Sequence, residues 1–445
     1  MMNNILYPII FILFISSINA LSEPKKAYRG NQLAIFAMAL TLIMSFYQIN
    51  ETYLLPAVLA LVCGALVGIT LAARIKMPNL PQLIALLNGF GGLSAGIIGI
   101  TESSGPNHPL GLILLIIIIG FITFGGSTAA FLKLATSFTL KNSLVMRLTS
   151  AILLFLIAIN IYCTNTGTLE SILGLALLTS LWGFCFILPI GGADMAIVIS
   201  LLNAFSGWST VAVGFSLENA LLIIVGTLIG SSGIILTHIM TKAMHRNIYQ
   251  VIFQPFTAQK EQNYPSNRPF HQGTIRDAAF LLENAHKVII IPGFGMAAAN
   301  AQNEIVNMAQ ILKTKFNVKV KFAIHPVAGR MPGHMNVLLA EADADSNDIY
   351  ELKDINQEFP TTDVAFVIGA NDITNPIAKT KKDSPLYQMP ILEVEQAKHI
   401  LIVKRSLSPG YAQIDNPLFY KDNTLMLLGD AQKITKQIIA EIEND

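Results

Sequence analysis

The fold of the C-terminal part of this chain is decided by the stretch Val288-Ile289-Ile290-Ile291-Pro292-Gly293-Phe294-Gly295-Met296-Ala297-Ala298. A β-branched run leads directly into the pattern G-x-G-x-x-A, and residues 299–312 have helical spacing. Glycines in this context permit a tight turn and a close backbone approach to a pyrophosphate, whose charge a helix N-terminus favours. The pattern predicts a dinucleotide-binding turn at Gly293, Phe294, Gly295 and Ala298. A Gly-rich turn without a nucleotide is the alternative.

Short apolar runs rich in β-branched residues continue downstream and alternate with helical stretches. The predicted strands are residues 288–291, 318–324, 364–368, 391–394, 400–403 and 425–428. Strands separated by helices are typical of a parallel sheet with covering helices. Residues 273–445 are therefore predicted to form an α/β Rossmann-like parallel-sheet domain.

Upstream of this domain the composition changes. Residues 244–272 are polar and broken by prolines, which is typical of a linker. Before them lie uncharged runs close to the ~20 residues that a membrane-spanning helix requires. The nine predicted spans are approximately residues 3–20, 32–48, 54–73, 82–100, 109–131, 146–163, 169–188, 192–213 and 219–243. Residues 1–243 are thus predicted to form a polytopic α-helical membrane domain of about nine spans, embedded in the lipid bilayer, in a chain of 445 residues that is 53% hydrophobic.

Positive charges predict the orientation of the spans, because cytoplasmic loops collect Lys and Arg. The cations before residue 250 are Lys25, Lys26, Arg29, Arg74, Lys76, Lys133, Lys141, Arg147, Lys242 and Arg246. With nine spans and an outside N-terminus, all of them fall at inner ends or inner loops. The C-terminal domain is therefore predicted to be cytoplasmic. A cleaved signal peptide ending at Ala20 is the alternative for the first segment, but three cations follow that segment and none precedes it, which favours a retained helix.

Charge and cysteine content exclude two classes of function. The net charge is +1 and no dense basic stretch is present, so no nucleic-acid partner is expected. The three cysteines are not spaced as C-x-x-C and lie in apolar stretches. Neither a disulfide framework nor a zinc site is therefore predicted.

The second predicted strand indicates which dinucleotide is bound. An NAD site usually ends this strand with an acid that accepts from the ribose 2′-hydroxyl. Here the strand runs into His325 and Pro326, and the first charge beyond it is Arg330. A basic cluster, Lys404-Arg405-Ser406, follows a later strand and offers charge-assisted hydrogen bonds to a 2′-phosphate. The pattern favours NADP(H), and a solvated edge carrying two cations is the alternative.

Several longer strings carry a resemblance to a known family. In the predicted soluble domain they are residues 292–297, 324–342, 367–372, 404–406, 410–412, 416–419 and 429–431, and in the membrane part residues 191–195, 202–203, 206–208 and 230–233. They resemble the beta subunit of proton-translocating NAD(P) transhydrogenase, and the resemblance spans the whole chain.

The resemblance implies a reversed NADP(H) in the C-terminal domain. It implies that Lys404-Arg405-Ser406 holds the 2′-phosphate, that residues 410–412 form a mobile lid, and that Asp372 couples nucleotide state to proton transfer. The residues expected to bind the cofactor are Gly293, Phe294, Gly295, Ala298, Val327, Ala328, Gly329, Arg330, Met331, Pro332, Gly369, Ala370, Asn371, Asp372, Lys404, Arg405, Ser406, Gly410, Tyr411, Ala412, Asp430 and Ala431.

The same resemblance implies an enzyme that works with a partner. Its reaction is NADH + NADP⁺ + H⁺ (outside) to NAD⁺ + NADPH + H⁺ (inside), with hydride passing directly between two nicotinamide rings, so no catalytic side chain is expected. Only one dinucleotide fingerprint is present, so NAD(H) is expected on an alpha subunit that adds membrane helices. A dimer of alpha–beta units in the bacterial inner membrane is implied.

The expected proton pathway includes Asp194, Asn88 and Asn203. Asp194 is the only acid near the interior of a predicted span, and an intramembrane carboxylate indicates function; a helix N-terminal acid is the structural alternative. Family members often carry a histidine where this chain has Asn88, and an amide does not titrate near neutral pH. The titrating histidine is therefore expected on the alpha subunit. His238 is the competing candidate, with a helix–helix contact as its ordinary explanation.

Two functions from other classes stay open at this point. One is a multi-spanning transporter or channel gated by a nucleotide-sensing domain, whose second strand would often end in an acid. The other is a membrane protein with a degenerate Rossmann-like domain that binds no nucleotide. Binding of NADP(H) by residues 273–445 discriminates the second alternative from the expected enzyme.

Overall fold

The computed structural model describes residues 2–21, 26–75, 79–105, 109–135, 143–163, 168–190, 194–243, 247–253, 268–329, 333–382, 384, 386–410, 412 and 414–444. The chain divides into two compact units. The first takes its residues from 1–135, 148–188 and 200–235, and the second from 136–147, 189–199 and 236–445. The described elements of the first unit are helices, and the second unit contains a sheet.

Nine long helices precede residue 244 in the described part of the chain. They are α1 (Met2–Leu21), α2 (Ala27–Gln48), α3 (Glu51–Arg74), α4 (Leu80–Glu102), α5 (Leu110–Ala135), α6 (Ser143–Cys163), α7 (Leu169–Ile187), α8 (Met195–Ser216) and α9 (Ala220–Ala243). Each matches a predicted span. Seven are long and apolar enough to cross a membrane, while the described apolar stretches of α1 and α6 are shorter, at Leu6–Leu21 and Leu148–Tyr162. The predicted polytopic helical region is confirmed.

Local sequence explains several helix boundaries. The Asn50 side chain accepts a hydrogen bond from the Thr52 N–H at 3.3 Å and caps the start of α3. Helix α7 ends before Pro189, as expected for a residue that cannot continue a helix. The predicted eighth span placed Asp194 inside a helix, whereas α8 begins one residue after it. Asp194 lies in a 3-10 turn that leads directly into α8, at the end of the predicted span.

Glycines set the contacts between the helices of the first unit. A Cβ at Gly125 on α5 would lie 1.9 Å from the main-chain oxygen of Ser180 on α7. A Cβ at Gly207 on α8 would lie 2.3 Å from the main-chain nitrogen of Gly230 on α9. These backbones approach closely only because no side chain separates them, which is how small residues promote packing between membrane helices.

The second unit contains a six-stranded sheet in which neighbouring strands are parallel. Its strands are β1 (Lys287–Pro292), β2 (Lys319–Ile324), β3 (Ile349–Glu351), β4 (Val364–Ile368), β5 (His399–Lys404) and β6 (Thr424–Leu428). Their order is β3-β2-β1-β4-β5-β6. This order belongs to doubly wound dinucleotide-binding sheets, whose ligand crevice lies where the order reverses, between β1 and β4. The predicted Rossmann-like sheet is confirmed.

Helices accompany this sheet along the chain. They are α10 (Ile248–Phe253), α11 (Ile275–Glu283), α12 (Phe294–Ala298), α13 (Gln302–Phe316), α14 (His334–Glu341), α15 (Leu352–Ile355), α16 (Ile377–Thr380) and α17 (Ala431–Asn444). A reciprocal pair of bonds between Thr274 and Asp277 caps α11. The core contains fully buried aromatic side chains, among them Phe322 on β2 and Phe366 on β4.

One predicted strand, at residues 391–394, is wrong. These residues are apolar and largely buried, but the Leu392 N–H donates to the Ile373 oxygen at 2.9 Å, and Ile391 accepts from the Asn356 side chain. The main-chain groups of Ile391 and Leu392 therefore bond a side chain and a loop instead of a neighbouring strand. The prediction failed because a buried apolar run occurs here without a strand. The sheet instead gains β3, a three-residue edge strand whose half-exposed residues produce no buried apolar run.

The predicted helix at residues 299–312 is confirmed from residue 302, where α13 begins, and only its start is wrong. Asn300 has a φ of 51°, and its neighbour Ala301 donates its N–H to the Met296 oxygen at 3.1 Å. This left-handed residue separates the five-residue helix α12 from α13. The predicted linker at 244–272 contains the short helix α10, and Gln272 within it bridges to Met426 of β6.

Candidate nucleotide-binding site

The loops after β1 and β4 meet at the point where the strand order reverses. The Gly293 N–H donates to the Ile368 oxygen at 2.9 Å, and the Gly295 N–H donates to the Gly369 oxygen at 2.8 Å. A Cβ at Gly293 would lie 2.4 Å from that same Gly369 oxygen. Gly369 has a φ of 65°, and a Cβ there would lie 2.3 Å from the Met296 nitrogen. The fingerprint glycines therefore allow two backbone loops to pack directly on each other.

The loop after β2 is held by a buried histidine. The Nδ1 atom of His325 accepts from the Val327 N–H at 3.2 Å, so its Nε2 carries the proton and donates to the Pro390 oxygen at 2.7 Å. Burial lowers the pKa of His325 to about 4, which keeps the ring neutral at physiological pH. Gly329 follows with a φ of 103°, against the buried His334 ring. The neutral imidazole of His325 thus holds the turn that contains residues 327–329, three of the expected cofactor residues.

The basic cluster at the end of β5 contains two cations in different surroundings. The Lys404 ammonium donates to the Ser408 main-chain oxygen and lies 5.0 Å from the centre of the Phe419 ring. Burial lowers the pKa of Lys404 to about 8, although the carboxylates of Asp372 and Asp415 raise it. Arg405, in contrast, is exposed. It lies 3.6 Å from the carboxylate of Asp430, at the end of β6.

Asp372 connects the loop after β4 to the segment that follows β5. Its Oδ2 accepts from the Ala412 N–H at 3.0 Å. A Cβ at Gly410 would lie 2.5 Å from its Oδ1, so glycine permits this segment to approach the carboxylate. Deeper in the domain, the buried Asn416 side chain donates to the Asn371 main-chain oxygen at 3.2 Å and to its side-chain oxygen at 3.1 Å. The expected lid is thus bonded to the expected coupling acid.

The loop after β6 completes the carboxyl edge of the sheet. The Oδ1 of Asp430 accepts from the Gln432 and Lys433 N–H groups at 3.1 and 3.3 Å. Asp430 thereby caps α17, which begins at Ala431. Because carboxyl ends of parallel strands share one edge, the expected residues on five loops lie along that edge. Arg330, Met331, Pro332 and Tyr411 lie outside the described residues.

Comparisons with known proteins identify the family of this chain. Residues 3–441 match the family described as NAD(P) transhydrogenase beta subunit. The NAD(P) transhydrogenase subunit beta of Rhodospirillum rubrum is 42% identical over 456 aligned residues, which cover 97% of each chain. The subunit of that name from a specified strain of the same species shows the same identity and coverage.

This chain belongs to the NAD(P) transhydrogenase beta subunit family. Family membership, with the seven helices that are long and apolar enough to span a bilayer, makes the chain a membrane protein. It also makes it part of an oxidoreductase that uses nicotinamide nucleotides. The resemblance inferred from the sequence strings is therefore confirmed.

Two of the three expected proton-path residues of this family member lie on helices that approach each other about one turn away. Asn88 on α4 is buried and Asn203 on α8 is half-buried. A Cβ at Gly91 would lie 2.7 Å from the Ser206 hydroxyl, one helical turn beyond each asparagine. Ala95 of α4 and Ala212 of α8 also belong to one buried apolar cluster, together with Ile116 and Val213. Helices α4 and α8 therefore lie close to each other within one helical turn of the two asparagines.

The remaining membrane candidates differ in exposure. Asp194 is buried, with an exposed fraction of 7%. His238 on α9 is exposed in this chain, and its main-chain oxygen accepts from the Thr241 hydroxyl at 2.9 Å. A helix–helix contact for His238 would therefore need a partner helix, because its side chain is exposed in the part of the chain that the structure describes.

Sequence reasoning missed several residues that shape the site. His325, Asn375 and Asn416 are buried polar residues whose bonds hold the loops after β2 and β4. His325 and Asn416 lie in strings that resemble the family, so a signal existed. A string shows that a residue matters but not whether it binds a ligand or another loop, and only the hydrogen-bond partners distinguish these roles.

Proposed function

We propose that this chain binds NADP(H) and conducts protons as the beta subunit of a transhydrogenase, and that it couples hydride exchange between NAD(H) and NADP(H) to proton movement. The observation that carries the proposal is the glycine junction of the β1 and β4 loops at the reversal of strand order. Beside it, Lys404 and Arg405 end the next strand. This places a backbone cradle and two cations on one edge, as a phosphorylated dinucleotide requires.

The residues at this edge fit NADP(H). Gly293 and Gly295, whose N–H groups bond the loop after β4, hold the start of α12 at this edge, and Arg405 is an exposed cation suited to a 2′-phosphate by bidentate bonding. We assign Ser406 to the same phosphate and the described residues 327–329 and 369–372 to the rest of the nucleotide. When bound, NADPH would supply a hydride from its nicotinamide ring, and NADP⁺ would accept one there. The protein's task is to orient that ring and exclude water, and the segment bonded to Asp372 is suited to cover it.

An alpha subunit completes the enzyme in this proposal. Residues 273–445 form one nucleotide domain, so NAD(H) binds to the partner, as subunit naming in the relatives supports. We further propose a dimer of alpha–beta units in the bacterial inner membrane, with the N-terminus outside and the nucleotide domain in the cytoplasm. The cations in the last turns of α3, α5 and α9, namely Arg74, Lys133 and Lys242, support this orientation.

Protons move through residues 1–243 in this account, along Asp194, Asn88 and Asn203. Burial of the Asp194 carboxyl supports a functional role, because a buried acid without one is costly to keep. The two asparagines exchange hydrogen bonds with water or with a histidine of the alpha subunit. A measurement of proton pumping by the His238→Ala variant tests whether the titrating histidine belongs to the alpha subunit or is His238. Near-complete loss of coupling, with the partner's histidines dispensable, assigns titration to His238 instead.

Nucleotide preference tests the proposal directly. We expect the detergent-solubilised chain to bind NADPH at least ~100-fold more tightly than NADH, since hydrogen bonds to charged groups contribute roughly 1.5–3 kcal/mol each. Arg405→Gln is expected to remove much of that preference. The matched control is Lys398→Gln, at the opposite end of β5, where Lys398 bonds Asp363 at 2.7 Å. Equal affinities for the two nucleotides would refute the assignment of NADP(H) to this chain.

A further inference from the structure

The segment that covers Asp372 ends in a polar cluster outside the nucleotide site. Asp415 lies three residues after Ala412, and its main-chain oxygen accepts from the buried Asn375 side chain at 3.0 Å. Its Oδ1 accepts from the Tyr420 hydroxyl at 3.0 Å. With the bond from Ala412 to Asp372, the segment is attached at both ends to the loop after β4. A displacement of that loop therefore displaces Asp415.

An arginine on another part of the chain contacts this cluster. Arg268 Nη1 lies 3.8 Å from Asp415 Oδ2, and the guanidinium lies 5.7 Å from the centre of the Tyr420 ring. The Asp415 side chain is only 18% exposed, whereas that of Arg268 is 56% exposed. The carboxylate thus belongs to the folded domain, and the arginine reaches it from the surface.

The position of Arg268 in the sequence makes this contact informative. It lies between α9 and β1, on the only covalent connection from the membrane helices to the sheet. Three residues later the chain is fixed along β6, because the Met426 N–H donates to the His271 oxygen at 2.8 Å and the Gly273 N–H donates to the Met426 oxygen at 3.1 Å. Arg268 is therefore the last charged residue before the connection becomes part of the sheet.

We propose that Arg268 is a positioning residue of the coupled reaction, which links the described residues of the segment after β5, namely 410, 412 and 414–416, through Asp415 and Tyr420, to the connection that leads to the membrane helices. The inference rests on the proposed function, in which this segment covers NADP(H). When the segment moves, Asp415 moves with it, and its contact with Arg268 transmits the displacement to residues 268–273. The contacts are partly exposed, so each is weak, as a link that opens and closes in every cycle requires.

The test uses the full chain with its alpha subunit in sealed vesicles. It measures hydride transfer from NADPH to an NAD analogue without a gradient, stimulation of the opposite transfer by an imposed proton gradient, and the Kd for NADPH. For Arg268→Gln we expect the stimulation to fall about fivefold, the factor that corresponds to roughly 1 kcal/mol. The Kd is expected to stay within about twofold, because Arg268 does not belong to the nucleotide site.

Three further variants separate positioning from general stability. Arg268→Lys retains the charge but loses the planar stacking on Tyr420, so it restores part of the stimulation. Tyr420→Phe keeps the ring and removes the bond to Asp415, which gives an intermediate loss even if Arg268→Gln fails to fold. Arg276→Gln is the matched control, since Arg276 lies 3.5 Å from Glu441 in an exposed ion pair of the same domain.

The outcomes distinguish this inference from the proposed function. Unchanged stimulation in both Arg268→Gln and Tyr420→Phe overturns the inference, as does an equal loss in Arg276→Gln. A loss of NADPH affinity that parallels the loss of stimulation also overturns it, because the residue would then act on the site itself. If the unmodified complex transfers no hydride, the proposed function fails instead.

Discussion

The helical and sheet regions of this chain differ in the large apolar residues that they expose. Before residue 244 many large apolar side chains are exposed, among them Leu55 at 67% and Phe155 at 66%, while glycines make the closest backbone contacts between helices. In the sheet region Phe322 and Phe366 are fully buried. Water drives large apolar groups inward, but lipid is as apolar as the groups themselves, so only close packing and hydrogen bonds hold the helices together. Exposure therefore reports the solvent that each region contacts.

The two regions nevertheless use glycine in the same way. Gly125 brings the backbones of α5 and α7 together, and Gly369 brings the loops after β4 and β1 together. In both places a Cβ would meet main-chain atoms, which cannot rotate aside. The nucleotide fingerprint is thus first a packing device between two loops, and its ability to approach a pyrophosphate depends on that packing.

The largest expected effect comes from filling the helix contact. Gly125→Ala would place a methyl group 1.9 Å from the Ser180 oxygen, so α5 and α7 must separate, at a cost on the order of 3 kcal/mol. The matched control is Gly64→Ala on α3, where a Cβ has no heavy atom within 4 Å and removal of a helical glycine stabilises by roughly 0.5 kcal/mol. Thermal unfolding in detergent measures both. Equal melting temperatures for the two variants would contradict the packing role of Gly125.

The corresponding change in the sheet domain is Gly369→Ala. Its left-handed φ and the 2.3 Å approach to the Met296 nitrogen both oppose a Cβ. Gly333→Ala is the control, because Gly333 also has a positive φ, of 69°, but a Cβ there meets nothing within 4 Å. We expect Gly369→Ala to lower the unfolding free energy by roughly 2 kcal/mol more than the control and to weaken NADPH binding at least tenfold. If both variants bind NADPH equally well, the loop junction is not part of the site.

A smaller effect is expected on the pH dependence of NADPH binding. It concerns lysines, which donate to main-chain oxygens in both regions. Lys133 donates to Leu188 at 2.7 Å among the helices, and Lys404 donates to Ser408 beside the expected phosphate site. The pKa of Lys404 is lowered to about 8, so a rise in pH through 8 removes its charge from the free protein. A bound 2′-phosphate, ionised above about pH 6, raises that pKa again, so binding takes up a proton.

The Kd for NADPH is therefore expected to increase by about eightfold between pH 7.5 and 9, as a single group with a pKa of about 8 loses its proton. Lys404→Arg should flatten the profile, because a guanidinium stays charged over this range. Equilibrium binding at several pH values checks both slopes. A profile that is equally steep in the arginine variant would exclude Lys404 as the titrating group.

Prediction from the sequence was most successful where contact with lipid or burial away from water produces a regular pattern of apolar residues. Uncharged runs of about 20 residues predicted nine helices, and buried β-branched runs predicted five of the six strands. It failed where loops or single residues satisfy the backbone. Residues 391–394 are buried like a strand but bond to Ile373 and Asn356, and Asn300 breaks a helix through its own dihedral angle.

The candidate site was also predictable only in part. The fingerprint glycines and the Lys404-Arg405 pair, which the sequence indicated, lie on the predicted edge of the sheet. The bonds of His325, Asn416 and Arg268 were not predictable, because each joins residues far apart in the chain and leaves no local pattern. Those long-range bonds determine which loops are attached to each other.

The most direct test of the account is coupled activity in one vesicle. The chain is reconstituted with its alpha subunit so that the nucleotide domain faces the medium, and NADPH and an NAD analogue are added with a pH-sensitive dye in the lumen. We expect reduction of the analogue with acidification of the lumen, and an uncoupler should abolish the acidification but not the reduction. Asp194→Asn should suppress the acidification. Reduction without any pH change would contradict proton coupling, and the absence of reduction would contradict the proposed function.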